Sequence, residues 1–460
     1  MQRFVRHLLV AVCAAACAGA IGCIHIDRPD LLEVSPPEGQ EGTEVTIVGT
    51  NFVDDFSQTR ISFGGVVAPS SSVISIEPTE IHVRVPSGAV TGDVVVSVGG
   101  VESGRVPFRV IGPWLLVGTE ASDGVTVFDT HTGLVQAVLP ASGAPRAARF
   151  SPDGSLAWLL GDDEAGGFAW RFDSAASALD ARVGLAPSPS ALVFDTIVPT
   201  IDELASDRTE AWIGHLDGTI EVLESATPAV RATVDAGSRV SALEATTDGT
   251  VVVALAPDAP AVVFYDADSA TPAELGRVDL GANPGPLIMN QLTSKAFVLE
   301  RADARVAFVD PSTRTITERV AVGPDPIDMV LSGTTLFVLS RTNHTIDLVD
   351  GTGAFVIASI PVAGDATRLA VLVTASETLV WATTESNVLR GYDQLDKTEK
   401  KSLTVAPDVV AFRPLVGTTG QFLLLAHATD PGQLTIVDQP DTRARVTELP
   451  GTPTFLAVQP

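Results

Sequence analysis

The chain has 460 residues, of which 29 are Lys or Arg and 56 are Asp or Glu, so its formal net charge is -27. This length predicts two or three domains, and so acidic a chain repels phosphate backbones, which argues against a nucleic-acid partner. Hydrophobic residues make up 45% of the chain, which is enough to build full cores and excludes global disorder.

The beginning of the chain is organised like a secretory signal peptide. Arg3, Arg6 and His7 form a basic start, and the apolar run from Leu8 to Ala20 follows. This run is too short to cross a bilayer as a stable helix. We therefore expect residues 1–22 to direct export and then to be removed.

The residues just before Cys23, Ala20 to Gly22, resemble the lipobox of bacterial lipoproteins, although Ala20 stands where Leu is usual. The resemblance implies lipidation of Cys23, followed by a short tether over residues 23–28. The alternative is an ordinary signal peptide cut near Ala18 or Ala20. Several acyl chains on one residue would hold the protein stably at a membrane.

Processing at Cys23 would leave no thiol for a disulfide, a metal or catalysis, because Cys13 and Cys17 lie in the removed segment. Ile24, rather than Asp, follows the lipidated residue. In known lipoproteins this favours the outer membrane. We therefore expect a lipid-anchored protein of the bacterial cell envelope, either periplasmic or exposed at the cell surface.

Residues 29–111 predict one small immunoglobulin-like β-sandwich. Short β-branched runs are separated by Gly, Pro and Asn every eight to twelve residues, which is the pattern of such a fold. The phrases SPPEG, GTEVTIVGTNF, ISFGG, IHVRVPSG and VPFRV resemble the IPT/TIG domain. That resemblance implies a spacer, an adhesion module or a part of a receptor, and we expect a spacer.

Residues 113–460 predict a repeat array. An apolar run that ends in an acid recurs at intervals of 40 to 51 residues. The acids are Asp129, Asp173, Glu224, Asp266, Asp310, Asp350, Asp393 and Asp438. Four short strands fit each interval, which is typical of a β-propeller blade.

The best copy of the repeat is GVTVFDTHTGLVQAVLPASGAPRAARFSPDG, which resembles the YVTN/WD40-like bacterial β-propellers. Eight blades are favoured, and seven remain if the irregular unit Leu156 to Thr209 is not a clean blade. The resemblance implies that Phe455 to Val458 completes the first blade beside Trp114 to Val117. The fold class is therefore all-β, a sandwich followed by a propeller that its C-terminal strand closes.

The segment Asp195 to Arg208 replaces a short turn of the repeat and is acidic and partly apolar. It is interpreted as a tolerated loop insertion, with a docking role as the alternative. On the usual lettering of the blade strands it lies on the face opposite the one that commonly takes ligands.

Motifs that carry chemistry are scarce. The sequence contains no HExxH, no G-x-S-x-G and no phosphate-binding loop, and its few His residues fall at different phases of the repeat. Asp162, Asp163 and Glu164 form the densest acidic turn and are a weak candidate for Ca²⁺, although a solvated turn is favoured. We expect no cofactor.

Two recurrent features are interpreted as structural. Acids at the strand ends, such as Asp129, cap turns through backbone amides. Trp114, Trp158, Trp212 and Trp381 share one phase of the repeat, which indicates packing between blades rather than a surface for ligands.

The leading functional hypothesis is a non-catalytic scaffold or binding protein, anchored by lipid at Cys23, whose propeller binds a protein or a small ligand. An assembly-type outer-membrane lipoprotein is the second hypothesis, although the expected Trp is missing after Asp129 to Gly133. A propeller enzyme, such as a lactonase or a dehydrogenase, is the third. Convergent polar residues around the central channel would favour that enzyme.

Overall fold

The structure is a computed structural model. It describes residues 28–120, 124–130, 132–197, 208–374, 377–417, 420–439 and 442–460. The chain divides into two compact units, Met1–Ile111 and Gly112–Pro460. The predictions for residues 1–22 and for Cys23 lie outside the described residues, and so does most of the insertion, residues 198–207.

The described part of the first unit is a sandwich of two sheets. Its strands are β1 (Asp30–Ser35), β2 (Glu38–Gly39), β3 (Glu44–Thr50), β4 (Thr59–Phe63), β5 (Val66–Val67), β6 (Val73–Glu77), β7 (Glu80–Arg84), β8 (Gly92–Val98), β9 (Val101–Glu102) and β10 (Val106–Val110). One sheet has the order β1-β3-β7-β6, and the other has the order β2-β10-β8-β4-β5 with β9 beside β8. A short 3-10 helix, Ser70–Ser72, precedes β6.

Alternating side chains of these strands fill the core between the two sheets. Val45 and Ile47 of β3 are fully buried, and Phe63 meets Phe108 edge to face with ring centroids 5.1 Å apart. Gly49 in the VGTNF phrase is required by space, because a Cβ there would lie 2.1 Å from the carbonyl oxygen of Asp30. The core therefore holds this unit together by packing, as expected for a chain without a Cys pair.

The second unit is built from short strands throughout. Its first sixteen strands are β11 (Trp114–Thr119), β12 (Gly124–Asp129), β13 (Leu134–Pro140), β14 (Pro145–Phe150), β15 (Leu156–Asp163), β16 (Gly166–Asp173), β17 (Ala178–Leu185), β18 (Pro189–Ile197), β19 (Arg208–His215), β20 (Thr219–Glu224), β21 (Ala229–Asp235), β22 (Ala242–Ala245), β23 (Val251–Ala256), β24 (Ala261–Asp266), β25 (Glu274–Asp279) and β26 (Pro284–Asn290).

The remaining strands continue the same pattern. They are β27 (Lys295–Glu300), β28 (Arg305–Asp310), β29 (Thr315–Ala321), β30 (Pro326–Ser332), β31 (Thr335–Ser340), β32 (Thr345–Asp350), β33 (Phe355–Pro361), β34 (Ala366–Val373), β35 (Thr378–Thr384), β36 (Val388–Asp393), β37 (Glu399–Thr404), β38 (Val409–Gly417), β39 (Gly420–His427), β40 (Gln433–Gln439), β41 (Arg443–Glu448) and β42 (Pro453–Val458). A 3-10 turn, Arg301–Asp303, follows β27.

Within the described residues these strands form eight antiparallel sheets of four. Seven sheets take four consecutive strands, from β14–β17 to β38–β41, and the remaining one has the order β42-β11-β12-β13. The first strands of neighbouring sheets contact one another in turn, β14 to β18 and onward to β38, and β42 closes the ring between β38 and β14. The arrangement is a closed β-propeller with these first strands innermost.

The C-terminal strand closes the ring as the sequence predicts. Leu116 of β11 lies opposite Ala457 of β42, and Val117 lies opposite Leu456. This pairing leaves no free inner edge on the first sheet, which is how closed β architectures avoid exposed strand edges. The all-β prediction with C-terminal closure is therefore confirmed.

The four Trp residues and the strand-end acids have the structural roles expected of them. Trp114, Trp158, Trp212 and Trp381 are all 1% exposed or less, so they pack between sheets. Asp350 is typical of the acids, because its Oδ1 accepts hydrogen bonds from the backbone N–H groups of Thr352 and Gly353 at 2.8 and 2.9 Å. These features stabilise the blades and supply no surface for a ligand.

We expect limited proteolysis to separate the two units. Cleavage near the boundary at Ile111 and Gly112 should yield a stable fragment that begins near Trp114, because each unit has its own core. Mass spectrometry of the time course checks this result. Cleavage scattered through the propeller, with no persistent fragment, would contradict it.

Candidate functional site: the central channel of the propeller

A cavity of about 770 Å³ lies in the ring of innermost strands. It is lined by residues of the innermost strands β14, β18, β22, β38 and β42 and by residues of the turns that follow innermost strands, including Ser151 after β14, Thr247 after β22 and Gln291 after β26. The cavity therefore opens at the face that bears the turns from the first to the second strand of each sheet. Its volume is in the range of pockets that hold small molecules.

Side-chain alternation on the innermost strands directs polar groups into the channel. In β22, Leu243 and Ala245 are buried between sheets, and Glu244 between them is partly exposed and lines the cavity. Arg149 of β14 and Arg413 of β38 also line it. A strand presents alternate residues to opposite faces, so a charged residue that lies between two apolar residues of an innermost strand can point into the channel.

Arg149 connects three neighbouring sheets. Its Nη1 donates to the carbonyl oxygen of Leu192 on β18 at 3.2 Å, and its Nη2 lies 3.3 Å from Oε2 of Glu244 on β22. Burial raises the pKa of Glu244, and the positive charge of Arg149 opposes that rise. This pair fixes the position of Arg149 along one side of the cavity.

Arg413 has a different environment. Among the described residues, its hydrogen bond goes to a backbone oxygen, the carbonyl of Phe412 at 2.9 Å, and no carboxylate lies within ion-pair distance. Its side chain is accessible to water but is surrounded by the protein walls of the channel. That desolvation lowers the pKa of Arg413, and the positive charges of Arg368 and Arg149 lower it further.

Asp328 and Arg368 complete the group of charges. Asp328 of β30 accepts hydrogen bonds from the backbone N–H groups of Met329 at 3.0 Å and Leu369 at 2.7 Å. Burial raises the pKa of this carboxyl, and these bonds and the nearby arginines oppose the rise. Arg368 of β34 donates to the carbonyl of Val409 at 3.1 Å.

We call these five residues the channel cluster. Its members are Arg149, Glu244, Asp328, Arg368 and Arg413. With both acids ionised, the cluster holds three guanidinium groups and two carboxylates, so it carries a local excess of positive charge in a chain of net charge -27, and Arg149, Glu244 and Arg413 line the cavity itself. The arrangement can bind an anion.

The residues that line the cavity offer little for catalysis or for a metal. No His, Cys or Met is among the described lining residues. Ser151 at the mouth bonds to Asp153 and to the carbonyl of Leu156 within its own turn. Its hydroxyl is therefore engaged within the turn, and the described lining residues include no His that could act as its base.

The acidic turn that was a weak Ca²⁺ candidate is occupied by protein partners. Oδ1 of Asp162 accepts a hydrogen bond from the backbone N–H of Ser188 at 2.7 Å, and Asp163 forms an ion pair with Arg182. No group of three or more His, Cys, Asp or Glu residues in the described part of the chain is placed to hold a metal ion. Asp162, Asp163 and Glu164 therefore gain no support as a metal site.

His215 and His427 are both fully buried. Nδ1 of each faces a backbone carbonyl at 3.1 Å, and Nε2 of His427 lies 2.9 Å from the hydroxyl of Thr435. Burial lowers the pKa of His427. They are core residues, as the sequence suggests.

Sequence reasoning missed the channel cluster. Each member comes from a different strand, and the five are spread from residue 149 to residue 413. No short motif contains two of them. The available signal was weak: one charged residue inside the otherwise apolar strand that precedes the turn, as in ARF, LEA and FRP.

Comparison with known proteins supports the two folds. The sequence profile of the IPT/TIG domain matches residues 29–110, which confirms that prediction. No curated protein matches the chain in sequence.

Among solved structures, the dihydro-heme d1 dehydrogenase NirN in complex with DHE is similar, with a TM-score of 0.60 and 15% identity over 75% of this chain and 74% of that one. The computationally designed protein Ika8 is similar with a TM-score of 0.53 and 15% identity, over 73% of this chain and 93% of that one. At such identity the likeness concerns the fold alone.

Proposed function

We propose that this protein is a lipid-anchored, non-catalytic binding protein of the bacterial cell envelope, whose propeller binds a small molecule in its central channel. The observation that carries the proposal is the cavity itself. It is about 770 Å³ in volume, is open to solvent, and is lined by Arg149, Glu244 and Arg413 between apolar walls. Concave, mostly apolar sites with a few polar groups are where proteins bind small ligands.

The sequence supports a location of the protein in the cell envelope. Cys23 and the residues before it resemble a lipobox, and the IPT/TIG domain over residues 29–110 would act as a spacer between the anchor and the propeller. Within the described residues, no helix has the length and apolar character needed to cross a membrane. We propose that the lipid on Cys23, which the lipobox resemblance implies, attaches the protein to the membrane, most simply the outer membrane.

The composition of the site favours binding over catalysis. NirN is described as a dehydrogenase of a heme, but the described lining residues here include no His, Cys or Met to ligate an iron. Two lining hydroxyls contact a carboxylate, Ser151 with Asp153 and Thr246 with Asp248, but each contact lies within a single tight turn and no His of the described lining accompanies it. The convergent charges are instead suited to holding and orienting a ligand, and for this reason the enzyme hypothesis remains the third of the three.

The channel function is tested by native mass spectrometry of protein purified from its own envelope. We expect the wild type to retain a small molecule, and Thr247→Trp, which places a bulky ring at the exposed mouth of the cavity, to lose it. Thr315→Trp, on the outermost strand β29 of another sheet, is the matched control and should retain the molecule. Channel binding would be contradicted if none of the three proteins carried a bound molecule.

The anchor is tested separately. We expect labelled palmitate to be incorporated into the wild type and not into Cys23→Ser, because the thiol at position 23 is the acceptor that the lipobox resemblance implies. The variant should also leave the membrane fraction. Equal labelling of the two proteins would overturn the anchor without affecting the channel proposal.

A further inference from the structure

Two of the channel arginines, Arg368 and Arg413, differ from most other arginines of the propeller in their partners. Elsewhere in the described part of this unit, guanidinium groups commonly pair with a carboxylate within 4 Å. Examples are Arg171 with Asp180, Arg231 with Glu210, Arg277 with Glu274, Arg390 with Glu399 and Arg445 with Asp438. Arg368 and Arg413 instead donate to backbone carbonyls. Two guanidinium charges in the channel are therefore left without a carboxylate in contact.

These charges also oppose one another. The positive charges of Arg368 and Arg149 disfavour the charged form of Arg413. The negative charge of Asp328 has the opposite effect. Like charges held close together are unfavourable unless an opposite charge joins them. Binding an anion beside Arg413 would relieve the repulsion, so the free channel has an electrostatic reason to take one.

The walls of the cavity limit what kind of anion fits. Apolar residues of three innermost strands and of the segments that follow them line it and keep part of their surface accessible: Ala148, Pro152, Pro414, Val458 and Pro460. A small inorganic anion would leave this apolar surface exposed to water. An anion with an apolar body would cover it and gain the free energy of that burial.

We propose that the propeller channel binds a small organic carboxylate, with Arg413 as the principal contact of the carboxylate group. Arg149 and Arg368 add positive charge, and the apolar body lies along the wall that includes Pro414 and Val458. The planar fork of a guanidinium matches the two oxygens of a carboxylate, as it also matches those of a phosphate. The inference rests on the proposed channel function and names the ligand class for the same site.

The test measures the binding of three probes to the whole protein by isothermal titration calorimetry. Hexanoate has the carboxylate and an apolar tail, hexanamide has the same tail without the charge, and inorganic phosphate has the charge without the tail. We expect hexanoate to bind at least tenfold more tightly than either of the others. If hexanamide or phosphate binds as well as hexanoate, the assignment of a carboxylate with an apolar body is overturned.

Variants then locate the site. Arg413→Gln should weaken hexanoate binding at least tenfold, and Arg413→Lys should restore part of it, because it keeps the charge but loses the fork. Arg341→Gln is the matched control, since Arg341 is exposed and lies 3.6 Å from Asp325 outside the cavity lining. Unchanged binding to Arg413→Gln would overturn the role of Arg413.

Two further comparisons keep the outcomes separate. If Arg413→Gln does not fold, as judged from its melting temperature, the contrast between hexanoate and hexanamide on the wild type still decides the ligand class. If no probe binds but native mass spectrometry finds a neutral molecule that Thr247→Trp removes, the carboxylate inference fails and channel binding stands.

Discussion

Removal of Pro453–Pro460 is expected to yield insoluble protein or to lower the melting temperature of the propeller sharply. This segment contains β42, which supplies the innermost strand of the first sheet and touches both β14 and β38. Without it, β11 has an unpaired edge facing the channel, and an exposed edge strand invites association with other chains. In the truncated protein the ring would also be open at the point where β42 closes it.

The contacts that would be lost explain the size of the effect. Phe455, Leu456 and Ala457 are each 7% exposed or less, and burying a large apolar side chain contributes about 1.5–3 kcal/mol. Oε1 of Gln459 accepts from the backbone N–H of Trp114 at 2.8 Å, and its Nε2 donates to the carbonyl of Gly154 at 2.7 Å. Removing this strand should therefore cost at least about 5 kcal/mol.

Differential scanning calorimetry and a solubility assay check this expectation. The control is deletion of Pro460 alone, because that residue is exposed and follows the last strand. It should change the melting temperature by no more than a few degrees. A protein that lacks Pro453–Pro460 and still melts like the wild type would show that closure contributes little to stability.

The sequence was informative about the fold because repeats are local signals. An apolar run, a polar turn and a strand that ends in an acid recur eight times, and each copy is read from about 44 neighbouring residues. Even the irregular unit from Leu156 to Thr209 contributes the regular strands β15 to β18. Closure by β42 was implied by the resemblance to bacterial β-propellers.

The channel cluster could not be predicted in the same way. Arg149 and Glu244 are 95 residues apart in sequence. They meet because only one sheet, that of β18, lies between the sheets of β14 and β22 in the ring. Which of two alternating faces points into the channel depends on register, and bulges such as the one between Pro145 and Ala147 shift it. A single charged residue in an apolar strand can therefore be recognised as a channel residue only when the strand register and the order of the sheets in the ring are known.

Sequence reasoning also did not anticipate a buried acid where the insertion begins. Asp195 at the end of β18 is fully buried, and its Oδ2 accepts from Nε1 of Trp212 at 2.7 Å. Its Oδ1 accepts from the backbone N–H of Glu210 at 3.2 Å. Burial raises the pKa of Asp195 to about 7, the bond from Trp212 opposes the rise, and the charge of Glu210 adds to it.

This raised pKa predicts an opposite pH dependence from that of an ordinary ion-paired acid. Asp195 has a pKa near 3.8 in the unfolded chain and about 7 in the folded one, so between these values the folded state holds a proton that the unfolded state has released. The contribution of Asp195 to the free energy of unfolding therefore falls as pH rises from about 4 to about 7. The difference between the two pKa values corresponds to on the order of 4 kcal/mol across that window.

Asp195→Asn should remove this dependence, because an amide does not titrate, while its oxygen can still accept from Trp212. We expect the free energy of unfolding of the wild type, relative to that of the variant, to fall by several kcal/mol between pH 4 and pH 7 and then to level off. Urea denaturation at pH 4, 5, 6, 7 and 8 measures it. Asp217→Asn is the control, since hydrogen bonds to Thr219 lower the pKa of that exposed acid and its difference from the wild type should stay flat from pH 5 to pH 8. A constant difference between the wild type and Asp195→Asn would mean that Asp195 is ionised in the folded protein throughout, and that the base of the insertion tolerates its charge.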